Sequence, residues 1–167
     1  METRELYLSS VIKQMHYYKT VGEKAMDQLE PEQLFIVTND DSNSISSIVK
    51  HLCGNMLSRW TNFLTSDGEK EWRERDAEFE TSITSKEDVL ALWDKGWDCF
   101  FQAIESLNPE DLSKIIYIRN EGQTAIDAIN RQVAHYPYHI GQIVFYAKQL
   151  KNSDWESLSI PKNKSNK

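Results

Sequence analysis

The sequence predicts an all-α protein, a bundle of up to four main helices, on three observations. Four long segments repeat apolar residues at helical spacing. Only six glycines and four prolines punctuate 167 residues. No alternation of strand-like and helix-like segments appears, which argues against a parallel sheet with crossover helices. At this length, 40% hydrophobic residues with five Trp and seven Tyr suffice for one domain with a real core.

The first helix is expected from about Arg4 to Leu29, with Leu8, Val11, Met15, Tyr18, Gly22, Ala25, Met26 and Leu29 on one side and Pro31 closing it. The second follows the polar turn Asn39–Asn43 and runs to about Leu64, on the stripe Ile45, Val49, Leu52, Met56, Trp60 and Phe63. Ser85, with Asp88 three residues on, predicts the capped start of the third, whose core face is Val89, Trp93, Phe100, Ile104 and Leu107. The fourth spans about Gln123 to Leu150, entered through Glu121-Gly122. Before it, Ile115–Ile118 is short and β-branched and reads as an extended strip.

Between helices two and three lies a long crossover loop, Thr65 to Thr84. Its mixed charges suit a solvated loop anchored by Trp72 and Phe79; its length and aromatics also suit a rim or lid. No internal repeat or linker divides the chain, so residues 1–152 are expected as a single helical domain and 153–167 as a polar tail with a frayed end.

Net charge is −7 and no basic stripe stands out, so no nucleic-acid partner is expected. No run of about 18 apolar residues exists, so no membrane span is expected either. The start METRELYLSS has no apolar signal region, and the expected location is cytoplasmic. Cys53 and Cys99 are isolated and read as small buried hydrophobes rather than a disulfide or a nucleophile.

The chemistry concentrates in HYPYHIGQI, where His135 and His139 stand four residues apart. At 100° per residue His139 lies about 40° from His135, with Ala128, Gln142 and Tyr146 about 20° away and Arg131 about 40°. The opposite face carries Ile126, Ile129, Val133, Ile140 and Val144. The polar strip is not Lys/Glu-rich, as a solvated face would be, and hints at a polar interior cavity. On helix two, His51 follows the line Ser44, Ser47, His51, Asn55, Ser58, Asn62, with Arg59 nearer the core, and can face the other two histidines. His16 shares a face with Glu5, Ser9, Thr20 and Glu23 and reads as exposed.

Two imidazoles one helical turn apart can grip one ion, and a third from a neighbouring helix completes a neutral three-nitrogen set with a position left open. Zinc is the first expectation; imidazole also suits nickel, copper and iron. The competing reading is three core histidines satisfied by hydrogen bonds. Tyr136 after His135 excludes the HExxH metalloprotease pattern. Pro137, between the ligands, predicts a kink or π-bulge.

IVKHLCGNMLSRW, followed by INRQVAHYPYHIGQI near the C-terminus, resembles the DinB/YfiT-like superfamily. More closely, HLCGNMLSRWTNFLTSDGEKEWRERDAEF resembles a family of DinB-like proteins, mainly from Bacillus-type organisms, that carry HLxGNMxSRWxxFLTxDGEKxWRxRDxEF. The resemblance covers nearly the whole chain. It implies a four-helix bundle with a divalent metal, zinc or nickel, held by His51, His135 and His139, and a homodimer.

Superfamily members include thiol S-transferases that use bacillithiol or mycothiol, so the resemblance implies a small-molecule substrate and a low-molecular-weight thiol as co-substrate. Asn55, Arg59, Arg131, Gln142 and Tyr146 are the candidate substrate-binding residues, with Arg59, Arg131 or Lys70 available for carboxylates. One alternative is a metal-dependent hydrolase using Asp67, Glu69 or Asp76 as proton acceptor; the other is a non-catalytic metal-binding stress-response module.

Overall fold

The computed structural model describes residues 3–39, 41–79 and 83–159, and is mostly helical. Four α-helices, α1 (Thr3–Asp27), α2 (Ile45–Trp60), α3 (Lys86–Glu105) and α4 (Ala125–Lys151), are joined by short 3-10 turns. One antiparallel hairpin, β1 (Ile115–Ile118) and β2 (Glu121–Thr124), precedes α4. The most extensive packing is of α2 on α3 and of α1 on α4, and α2 also meets α4. No described helix is long and apolar enough to cross a membrane.

Each later helix starts at a hydroxyl cap that satisfies an otherwise free backbone N–H. Ser44 accepts from the N–H of Ser47 at 3.1 Å, Ser85 from Asp88 at 3.1 Å, and Thr124 from Asp127 at 3.3 Å. The expected Ser85 cap is therefore present. α2 stops at Trp60, four residues short of the expected Leu64: Thr61 turns to an extended ψ of 117° and Asn62 takes φ 53°. Phe63 still reaches the core beyond that break, and so does part of Leu107, which lies past the end of α3.

The expected apolar residues of α1 and α3 form the core together with Trp60, Trp97, Phe100 and Tyr136. Gly96 lets α3 press against α2, because a Cβ there would stand 3.0 Å from the Cys53 backbone. α4 differs from its wheel. Its buried line is Ala128, Ile129, Gln132, Tyr136, Ile140, Ile143 and Ala147, which runs between the histidine strip and the half-buried Val133 and Val144. His135 and His139 thus stand at the edge of the core rather than opposite it. α4 also stays α-helical through Pro137, without the π turn that the proline suggested.

Ile115–Ile118 is extended as expected, with Ile116 buried and Ile115 and Tyr117 outside. Its partner Glu121–Thr124 has no apolar alternation, so only the structure reveals the hairpin. The two turn residues, Arg119 and Asn120, take φ 56° and 62°, the left-handed pair that a two-residue hairpin loop requires. Asp67 clasps this turn by accepting the N–H groups of Arg119 at 2.9 Å and Asn120 at 2.8 Å, while the Gly68 N–H donates to Tyr117 O at 2.8 Å.

The chain after α4 is docked over its first part. Gln28 and the Glu156 backbone exchange hydrogen bonds of 2.8 and 3.0 Å, and Trp155 packs on the core. The rest of the expected tail, residues 160–167, lies outside the described residues, as do residues 80–82 of the connection between α2 and α3.

Candidate metal centre

α2 and α4 bring His51, His135 and His139 together. The His139 and His135 Nε2 atoms are 3.1 Å apart, those of His51 and His135 are 3.5 Å apart, and all three donors lie within 4.8 Å of one another. The far nitrogen of each ring is engaged. His51 Nδ1–H donates to Glu78 Oε2 at 2.9 Å, His135 Nδ1–H to Gln132 Oε1 at 3.2 Å, and His139 Nδ1–H to Gln142 Oε1 at 2.9 Å.

The oxygen acceptors favour the tautomer with the proton on Nδ1. Three Nε2 lone pairs then face one point, where they repel each other unless a shared proton or a metal ion lies between them. Oxygen acceptors behind imidazole ligands are the usual companions of a metal, since they orient the ring and raise its basicity. The spacing fits as well: two nitrogens about 2.0–2.1 Å from one tetrahedral zinc ion stand roughly 3.3–3.4 Å apart. The residues present therefore fit a divalent ion. Burial, then the neighbouring histidines, pushes His135 down to about 3, and burial lowers His139 too, so both offer lone pairs at neutral pH.

Glu78 was not anticipated from sequence. It sits in the 3-10 turn Asp76–Phe79, which packs on α2, and is buried with the Arg73 Nε–H donating to its Oε1 at 2.7 Å. Burial alone would raise its carboxyl, but hydrogen bonds from His51 and Arg73, with the Arg73 charge, hold it below the usual range. Gly54, one turn after His51, makes room for it: a Cβ there would stand 2.2 Å from Glu78 Oε1. Phe79, from the same turn, stacks on the His51 ring at 5.6 Å. The region expected as a loop thus contributes directly to the wall of the centre. Its only sequence signal was position inside the WRERDAEF block, where Arg73, Glu74, Arg75 and Asp76 are charged as well.

Beside the histidines opens a cavity of about 370 Å³ whose wall includes His51, His135, Asn55, Arg59, Arg131 and Glu121. Asn55 Oδ1 accepts from the Tyr136 hydroxyl at 3.2 Å, which in turn accepts from Trp60 Nε1 at 2.8 Å. Arg59 is buried, bonded to Gly68 O and, at 3.1 Å, to Glu69. Of the remaining candidates, Gln142 lies behind His139. Tyr146 stands apart, its hydroxyl donating to Ile36 O at 3.1 Å. Lys70 is turned to Ser66 Oγ at 2.6 Å.

The carboxylates suggested for proton transfer are occupied or elsewhere: Asp67 clasps the hairpin, Glu69 pairs with Arg59 and Arg119, and Asp76 faces a separate surface hollow. His16 is exposed and stacked on Phe101 at 3.8 Å, well away from the centre. Cys53 and Cys99 are free thiols, and burial pushes Cys53 up to about 11.

The family model described as "Protein of unknown function (DUF1572)" matches residues 2–164. The chain belongs to that family. The matched span contains all four helices and all three histidines, so the centre is internal to the DUF1572 domain. No curated protein and no solved structure matches the chain.

Proposed function

We propose that this DUF1572 protein is a DinB/YfiT-like metal-dependent enzyme that holds one divalent ion, zinc or nickel, on His51, His135 and His139 and transfers a low-molecular-weight thiol to an electrophilic small molecule. One observation carries the reading: three Nε2 atoms converge while each Nδ1 is already bonded to a side-chain oxygen. A divalent ion there supplies a Lewis acid that lowers the pKa of a thiol or a water molecule.

The chain's own side chains do the rest. Glu78, Gln132 and Gln142 orient the three rings. Asn55, Arg59 and Arg131 face the space where a substrate fits, and Glu121 on β2 brings a carboxylate without an ion-pair partner among the described residues. The thiol loses its proton to Glu121 or solvent, its sulfur forms a bond to the electrophilic carbon, and the leaving group departs with the electron pair of the bond that breaks. A thiol asks little of the base, because its pKa near 8.5 is already close to neutrality, whereas water starts at about 15.7. The carboxylates around this centre are mostly committed to arginines or backbone amides, which favours the less demanding nucleophile.

Glu121 also supports a second reading, a hydrolase in which that carboxylate accepts the proton of water. The test follows chloride release from 1-chloro-2,4-dinitrobenzene and hydrolysis of p-nitrophenyl acetate by the zinc- and nickel-loaded protein, with and without added thiols. Thiol-dependent chloride release that vanishes in His51→Ala supports the transferase. Ester turnover in thiol-free buffer, lost in Glu121→Gln, replaces it with the hydrolase. Metal removal that alters stability while neither reaction is catalysed at any stage leaves the non-catalytic module.

A further inference from the structure

The chain has thirteen lysines and six arginines, and five of those arginines, Arg59, Arg73, Arg75, Arg119 and Arg131, line the one cavity beside the histidines. None of the described lysines does. They arrive from four separate places: α2, the connection after it, the hairpin turn and α4. In a protein of net charge −7, a merely cationic rim would draw on the commoner lysine. Arginine differs in offering a planar fork of donors that matches carboxylate and phosphate oxygens two at a time.

Three of the five arginines are ion-paired within the protein. Arg59 and Arg119 share Glu69, and Arg73 is held by Glu78. Glu121 is the remaining carboxylate of the wall. Glu74 and Asp76 flank Arg75 and line a neighbouring hollow with it, but neither forms an ion pair with it among the described residues. Arg75 and Arg131 have no side-chain hydrogen bond or ion pair among the described residues, and both line the cavity. A second observation comes from Arg59, only 7% exposed, whose Nε–H has no hydrogen-bond partner among the described residues. A buried donor without a partner costs about 1–3 kcal/mol, a cost removed when an acceptor enters.

We infer that the cavity binds a small molecule carrying two negative charges, carboxylate or phosphate, with Arg75, Arg131 and the Arg59 Nε–H as its receptors. The volume of about 370 Å³ suits a small ligand. As a statement about substrate, this rests on the metal-centre reading, since the anionic groups then place the reacting part of the molecule beside the histidines. As a statement about binding it needs no metal, which separates the two tests.

Six arginines give six Nε–H cross-peaks in a nitrogen-15 correlation spectrum, each assignable by substitution. Metal-free and zinc-loaded protein are titrated with succinate, with inorganic phosphate and, as a monoanion, with acetate. The expected result is that one dianion shifts the Arg59, Arg75 and Arg131 signals in the metal-free protein, that acetate binds at least about tenfold more weakly, and that Arg4 is unaffected. Arg75→Gln with Arg131→Gln weakens binding at least about tenfold, whereas Arg4→Gln leaves it unchanged. A preference for succinate assigns carboxylates, and a preference for phosphate assigns a phosphate ester.

The inference is overturned if neither dianion shifts these signals, if all six arginines respond alike, or if binding survives the double substitution. Binding that appears only with zinc also overturns it, while leaving the metal centre intact.

Discussion

On its α3 side, helix α2 presents Cys53, Met56 and Trp60 to Gly96 and Phe100; on its α4 side it presents His51, Asn55 and Arg59 to His135, Tyr136 and an open cavity. The same sixteen residues serve both. The dry side is specified by volume: side chains interdigitate, and on α3 the indole N–H groups of Trp93 and Trp97 are buried without partners among the described residues. The polar side is specified by direction: each imidazole is aimed by one oxygen behind it. The two sides should therefore fail in different ways, one through stability and the other through ligand binding.

The largest stability loss is expected on the dry side. Trp97→Ala empties a fully buried site and should cost about 3–5 kcal/mol in urea unfolding. It should leave the metal affinity of the protein that remains folded nearly unchanged; an equal loss of both would mean that the two sides are not separable.

Next come the residues behind the ligands. Glu78→Gln removes the charge that orients His51, and Gly54→Ala drives a Cβ into the Glu78 carboxylate. Each should weaken metal binding about 10–100-fold in competition with a chromophoric chelator. No change in either variant would show that Glu78 serves only to pair Arg73.

Tyr136→Phe tests the seam between the two sides. It strips the acceptor from Trp60 Nε1 and the donor from Asn55, and should cost about 1–2 kcal/mol by thermal unfolding. A neutral result would mean that water replaces the hydroxyl.

The smallest effect belongs to the hairpin clasp. Backbone N–H groups, first that of Asn120 and then that of Glu69, lower the Asp67 carboxyl below its usual value of 3.8. A depressed carboxyl contributes stability that is present above the unfolded value and lost as pH falls through the folded one. Asp67→Asn should therefore cost a little stability at pH 7, where the charged carboxylate holds the clasp, and flatten the acid limb of the stability curve below about pH 4, where the parent carboxyl is protonated as well. An unchanged acid limb would place the clasp outside the cooperative unit.

The comparison also explains what the chain made legible. Helices and the dry face follow from period and cap: Ser85 and the apolar stripes could be placed because burial repeats every three to four residues. His51, His135 and His139 could be brought to one side by the same arithmetic, since it needs only backbone direction. Glu78 could not, because it reaches His51 across 27 residues from a turn crowded with other charges. The edge position of His135 was missed because Tyr136 and Gln132, a polar pair, carry part of the core line of α4. β2 was hidden by composition, and the end of α2 by Asn62, whose positive φ no apolar period announces.

The central claim is the convergence of three Nε2 atoms on one ion, and metal stoichiometry tests it most directly. Tag-free protein, purified without chelator and re-equilibrated with zinc or nickel, is analysed by inductively coupled plasma mass spectrometry beside His51→Ala, His135→Ala and His139→Ala. Close to one equivalent in the parent, lost in each variant while the helical circular dichroism persists, is the predicted result. No uptake by the folded parent, or uptake that survives all three substitutions, contradicts it and makes the three histidines a hydrogen-bonded part of the core.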